Sequence, residues 1–140
     1  MSHDVIHSDH APAAIGPYSQ AVSAGSLTFL SGQIPLDAKT GFIVGPGDPA
    51  AQTQQVMANL IAVLQAGDHP LTDLVKTTIY LKDMNDFAAV NEVYEAALGD
   101  HRPARATVQV ARLPRDVLVE IDGIAARENG SGFGGVEGAT

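Results

Sequence analysis

The sequence predicts an α+β domain of order β-β-α-β-α-β-β, with both helices on one face of the sheet. Three observations carry that prediction. Residues 49–66 and about 85–98 repeat apolar side chains at helical spacing, each between a capping residue and a glycine. Residues 74–82 alternate in a strand-like run rich in β-branched residues. Strand-like pairs also open and close the chain, at residues 19–31 and 103–124.

Residues 1–12 are polar, then Ala-Pro rich, and read as a flexible arm. The arm holds His3, His7 and His10 with Asp4 and Asp9, and on a helix the three imidazoles would align. Nothing nearby would order them as metal ligands, so a solvated terminus is expected. After Gly16-Pro17-Tyr18 a strand runs from about Ser19 to Ala24. Gly25-Ser26 turns the chain into a second strand at Leu27 to Ser31. Residues 32–49 form a long Gly- and Pro-rich loop around Phe42-Ile43-Val44, of a length often tied to function.

Asp48 is placed as an N-cap with Pro49 at the first helical position. Val56, Leu60, Val63 and Leu64 form the inward stripe of that helix, and Gly67 ends it. The strand at Leu74 to Lys82 sets Val75, Thr77, Ile79 and Leu81 against Lys76, Thr78, Tyr80 and Lys82. The second helix starts at Asp83 or Asn85, turns Phe87, Val90, Tyr94 and Leu98 inward, carries Asn91 on its flank and stops at Gly99. Residues 13–127 thus read as a single domain, and 128–140 as a disordered Gly-rich tail.

The last two strands, in PARATVQVARLPRDVLVE, read as a hairpin about Ala111 to Asp116. Simple antiparallel pairing then sets Thr107 opposite Glu120 and Arg105 opposite Asp122. A guanidinium and a carboxylate share one sheet face. They form either a cross-strand ion pair, worth about 0.2–1 kcal/mol, or an anion site in which Arg105 clamps a carboxylate while Glu120 handles a proton or a water. Spacing alone favours the ion pair. Because the helices cover one face only, a partly apolar sheet face stays open. Homo-oligomerisation is the expected cover, with small-molecule sites in the clefts between subunits.

The formal charge of -8 weighs against nucleic-acid phosphate as a main partner. The absence of cysteine excludes disulfides, thiolate metal sites and a cysteine nucleophile. No run reaches the ~18 apolar residues of a membrane span, and a cytoplasmic protein without membrane partners is expected. No G-x-S-x-G surrounds Ser31 and no phosphate-loop pattern occurs, although Ser31 and Gly32 can line a pocket. Tyr18 reads as a core or interface aromatic, and His69 and His101 as surface residues.

The chain resembles the RidA/YjgF family of reactive-intermediate (enamine/imine) deaminases. The carrying motifs are Pro103-Ala104-Arg105-Ala106-Thr107-Val108, Ala111-Arg112-Leu113-Pro114 and Val119-Glu120-Ile121. Ala14-Ile15-Gly16-Pro17-Tyr18-Ser19-Gln20, Ser31-Gly32-Gln33-Ile34-Pro35, Ala51-Gln52-Thr53 with Asn59-Leu60, Val75-Lys76-Thr77-Thr78, and Asp86-Phe87 with Asn91 and Tyr94 add to them. The resemblance covers about Ala13 to Arg127. It implies a chorismate-mutase-like subunit in a trimeric barrel, with clefts between subunits.

The implied reaction is hydrolysis of 2-imino acids or their enamines to 2-keto acids and ammonia, without a cofactor or metal. By the same resemblance Arg105 binds the substrate carboxylate and Glu120 positions and polarises the water. Tyr18, Ser31, Gly32, Asn91, Ala106 and Thr107 line the cleft, partly from a neighbouring subunit. Position 107 is often cysteine in the family and is threonine here, which removes any thiol role. A non-catalytic sensor of 2-keto acids is the alternative within the same fold. An RNA-directed activity, described for some relatives, fits the negative charge poorly.

Overall fold

The computed structural model describes residues 3–128, in which six strands form one mixed sheet. The strands are β1 (Asp4–Ile6), β2 (Ala21–Ala24), β3 (Leu27–Gln33), β4 (Leu74–Leu81), β5 (Ala104–Gln109) and β6 (Val119–Ala126), in spatial order β1-β2-β3-β6-β4-β5. Helices α1 (Pro49–Ala66) and α2 (Phe87–Leu98) pack together over one face. The α+β class is therefore as the periodicities indicate. The expected tail lies, from residue 129 on, outside the described residues.

Local signals set the helix ends. Asp48 accepts from the Ala50 and Ala51 amides, both at 3.1 Å. Asp83 caps the 3-10 turn Met84–Asp86 that leads into α2. Gly99 closes α2 at φ 64°, a conformation that favours glycine. Between the layers, Val56, Leu60, Val63 and Leu64 of α1 and Val90 and Leu98 of α2 meet Ile79, Leu81, Val119 and Ile121, all buried. Each such side chain contributes about 1.5–3 kcal/mol on burial.

Three expectations are corrected. Residues 4–6 are part of the sheet, not of a flexible arm: β1 pairs antiparallel with β2, Val5 opposite Val22. The cause is Gln20, a buried amide that needs partners. It accepts from the Ser8 amide at 2.6 Å and donates to the carbonyls of Ser8 at 3.1 Å and Pro12 at 2.8 Å. Ile6 then packs where Gly67 leaves room, since a Cβ there would stand 2.8 Å from Ile6 Cδ1.

Secondly, β5 and β6 do not form a hairpin. β5 runs parallel to β4 at the sheet edge, and β6 lies between β3 and β4, antiparallel to both. The reason is burial. Every other residue of β6, from Val119 to Ala125, is buried, so this strand belongs at the centre. β5 turns Arg105, Thr107 and Gln109 to the helix side and is largely exposed, which suits an edge. Thirdly, His69 is not a surface residue. It is 3% exposed, bound to Asp73 Oδ2 at 2.7 Å through Nδ1 and to Thr28 Oγ1 at 2.7 Å through Nε2. His101 is also tied down, with Nε2 2.7 Å from the Leu74 carbonyl oxygen.

Candidate active site

The parallel pair β4–β5 at the sheet edge places Arg105. It stands level with Thr77 of β4, whose hydroxyl is 2.6 Å from the Tyr94 hydroxyl on α2, so both residues face the helices. Phe87, Asn91 and Tyr94 recur at i, i+4 and i+7 and form one stripe of α2. That stripe is a holder for the guanidinium. Arg105 Nη1 donates to Asn91 Oδ1 at 2.6 Å. Its Cζ lies 5.5 Å from the Phe87 ring centre and 5.3 Å from that of Tyr94, within cation–π range. Among the described residues Asn91 is its one hydrogen-bond partner, which leaves further donors for a ligand. Beside them opens a cleft of about 410 Å³, lined also by Glu95, Leu98 and Arg102. Arg102 is committed to Glu95 at 3.2 Å and to the Gly99 carbonyl at 2.6 Å.

Glu120 belongs to a different place. It pairs with Tyr80 of β4 and points to the open face, away from the buried Ile79 and Leu81. A register shift between Leu30 and Gln33 marks a bulge in β3 that brings Gly32 against it. A Cβ on Gly32 would overlap the Glu120 carboxylate and stand 2.9 Å from its Cδ, so any larger residue here would push that carboxylate out of its place. Burial pushes the Glu120 carboxyl above the usual carboxylate range, and the neighbouring charge of Asp122 adds to it.

Gly32 also borders a smaller cleft, of about 260 Å³, with Ile15, Tyr18, Gln33 and Arg115. Tyr18 is 53% exposed on its lip and is not a core aromatic. The Ser31 hydroxyl donates to the Ser19 carbonyl at 2.6 Å, which fixes the strand end and leaves the oxygen lone pairs available.

The site residues expected from the sequence therefore fall into two groups. Arg105 and Asn91 stand at the β5 edge on the helix side. Tyr18, Gly32, Ser31 and Glu120 cluster around the β3 bulge. Ala106 is exposed on the open face, and Thr107 turns to the helix side, where its buried Oγ1 has no partner among the described residues. The ion pair between Arg105 and Glu120 does not form in the chain. β4 separates them and they lie on opposite faces. Phe87 and Tyr94 were legible as a helical stripe but not as a holder for Arg105. Among the described residues no cluster of three or more His, Cys, Asp or Glu side chains is placed to hold a metal.

Comparison with known proteins extends this geometry. A family model described as Endoribonuclease L-PSP matches residues 8–127. A RutC family protein of Pyrococcus horikoshii is 54% identical over 125 residues, which cover 89% of this chain and 98% of that protein. The 2-iminobutanoate/2-iminopropanoate deaminase of Escherichia coli K12 is 50% identical over 125 residues, 87% of this chain and 96% of that protein. A crystal structure of E. coli TdcF with bound serine superposes with a TM-score of 0.85 at 44% identity, covering 89% of this chain and 99% of that one.

Proposed function

The chain belongs to the Endoribonuclease L-PSP family, the RidA/YjgF group, and on that premise we propose that it hydrolyses reactive 2-imino acids and their enamine tautomers to 2-keto acids and ammonia. The observation that carries the reading is the guanidinium of Arg105, anchored by Asn91 and mostly unsatisfied among the described residues, together with a half-buried carboxylate whose proton affinity is raised. The first suits a small carboxylate and the second suits proton transfer.

The active unit is a homotrimer in which the open sheet face is covered. Each site combines the Arg105 edge of one subunit with the Tyr18, Gly32 and Glu120 cluster of the next. Two features support this arrangement: the two groups cannot meet within one chain, and Val5, Leu27, Phe29 and Val108 leave the sheet apolar and exposed.

In this site Arg105 binds the substrate carboxylate and orients the imine. Water attacks the C=N carbon as Glu120 takes one of its protons, and the C=N π electrons pass to nitrogen. Glu120 returns that proton to nitrogen, giving an ammonium leaving group. The C–N bond then breaks as the new hydroxyl becomes the keto C=O, its proton passing through Glu120 to the departing ammonia. A protonated imine plus water becomes a keto acid plus ammonium, and Glu120 ends as it began. The imine is already electrophilic, so positioning carries much of the rate. The charge of -8 gives RNA phosphate no electrostatic attraction.

The test couples the protein to a pyridoxal-phosphate threonine dehydratase and follows keto-acid and ammonia release. Wild type accelerates release, and Arg105→Ala and Glu120→Gln each fall to near the uncatalysed rate. Dissociating the two inactive variants and reassembling them together restores about a quarter of the sites, because each needs one intact partner from each side of a ring interface. No acceleration by wild type, with 2-keto acids still bound, would leave a sensor instead. No recovery on mixing would place both groups in one subunit.

A further inference from the structure

Around Glu120 the open sheet face carries a second carboxylate with no part in binding or attack. Asp122 follows Glu120 by two residues on β6 and therefore shares its face. Tyr80, directly opposite Glu120 on β4, reaches diagonally and donates its hydroxyl to Asp122 Oδ2 at 3.0 Å. Thr78 stands opposite Asp122. Asp122 is thus held beside Glu120 by a neutral donor, while the Glu120 carboxylate has neither an ion pair nor a hydrogen bond among the described residues.

We propose that Asp122, pinned by Tyr80, is a positioning residue that makes Glu120 the proton-carrying group of the site. The inference rests on the deaminase reading and adds to it the residue that tunes the acid–base group. A carboxylate at the adjacent same-face position of the strand makes Glu120 harder to ionise. Asp122 receives the Tyr80 hydroxyl as its donor. Glu120, set against Gly32, has no such donor among the described residues and is left as the carboxylate with the raised proton affinity. Desolvation and the Asp122 charge act in the same direction on it.

The surrounding charges do not reverse this. Lys82, just past the end of β4, acts on Asp116, and Lys76 of β4 stands opposite Ile124. β3 presents Ser31 and Gly32, which are uncharged. Arg115, across the small cleft, donates to the Gly41 carbonyl at 3.0 Å. In the proposed trimer a neighbour's Arg105 faces the same cleft, with the substrate carboxylate between it and Glu120.

Two readouts on the assembled protein test the inference. The first is the titration of the Glu120 carboxyl carbon by NMR, which needs no substrate. The second is the acid limb of the kcat/KM profile in the dehydratase-coupled assay. Asp122→Asn keeps the shape and the Tyr80 contact but removes the charge. It should move the Glu120 midpoint and the acid limb to lower pH together, by about the same amount, with the plateau rate largely kept. Tyr80→Phe frees the Asp122 side chain and should shift both the same way by less.

An unmoved Glu120 midpoint in Asp122→Asn overturns the proposal, whatever the activity. If that variant does not assemble, an unmoved midpoint in Tyr80→Phe overturns it instead. A wild type inactive on imines, with the NMR shift present, sinks the deaminase reading and leaves the coupling between the two carboxyls standing.

Discussion

Arg105 and Glu120 sit on opposite faces of the same sheet with β4 between them, one against Phe87 and Tyr94 and the other against Gly32. Side chains so placed cannot act on one small molecule bound to one chain. They can do so when β5 of one subunit meets the bulged end of β3 in another. The edge position of β5, with Ala104, Arg105 and Ala106 all exposed, fits that use. In the proposed trimer a charge on the open face should prevent assembly. Phe29→Asp places a carboxylate on the exposed apolar side of β3 and leaves the core between sheet and helices untouched. Native mass measurement should show monomers with retained far-ultraviolet circular dichroism, and imine hydrolysis should be lost. A trimer that survives this change would mean that another surface holds the subunits.

Arg105→Lys should be far from conservative. The guanidinium is flat enough to lie against both rings while bonding to Asn91, and it still presents paired donors outward. An ammonium keeps the charge and loses the fork. A loss of about 10- to 100-fold in kcat/KM is expected, the worth of one charge-assisted hydrogen bond. It should appear mainly in KM, because in the proposed mechanism Arg105 would grip substrate and transition state alike. Steady-state kinetics on the dehydratase-coupled assay decides it, and an unchanged KM would count against carboxylate binding by this residue.

Glu120 also affects folding. Its raised proton affinity means that the folded chain binds this proton more tightly than the unfolded chain. Its favourable contribution is therefore complete at pH below the ordinary carboxylate value. It is lost as the pH rises through the raised value. Glu120→Gln removes the charge and keeps the shape. Relative to wild type it should gain thermal stability as pH climbs from about 4 toward neutrality, then hold a constant advantage. Melting curves across that range test this. Parallel curves for the two proteins would show that Glu120 titrates alike in the folded and unfolded chain.

Much of this fold is legible in local patterns. Helix caps at Asp48 and Gly99, the inward stripe of α1 and the alternation in β4 depend on residues close in sequence, so periodicity finds them. The β5–β6 connection is different. Its length and turn residues suit a hairpin, and only competition for the sheet centre, won by the more apolar β6, sends it across β4. The order of the arm escapes local patterns for a similar reason: it is held by the Gln20 amide, which reveals no need for carbonyls until it is buried. Arg105, Glu120 and Asn91 were legible as chemistry through the family motifs. That Arg105 and Glu120 face apart was not, since it follows from the strand order. The holder made by Phe87 and Tyr94 lay in the same helical stripe that periodicity assigned to the core.

Asn59 offers a test of how the small cleft is supported. It is fully buried on α1, where its side-chain amide donates to the carbonyls of Ile34 at 3.2 Å and Leu36 at 3.0 Å and accepts from Gln55 at 2.8 Å. Ile34 and Leu36 line the cleft next to Tyr18 and Gly32. Asn59→Ala strands the Leu36 carbonyl oxygen, leaves that of Ile34 with the Leu36 amide alone, and opens a cavity. The expected cost is about 2–4 kcal/mol, read from denaturant midpoints. Asn59→Asp is nearly isosteric but faces the same carbonyls with oxygen alone, so it should lose at least as much at neutral pH and recover part of the loss in acid. Because the loop sags toward Tyr18 in both variants, KM should rise while the Arg105 side stays intact. Stability lost without any change in KM would show that the long loop shapes the fold but not the site.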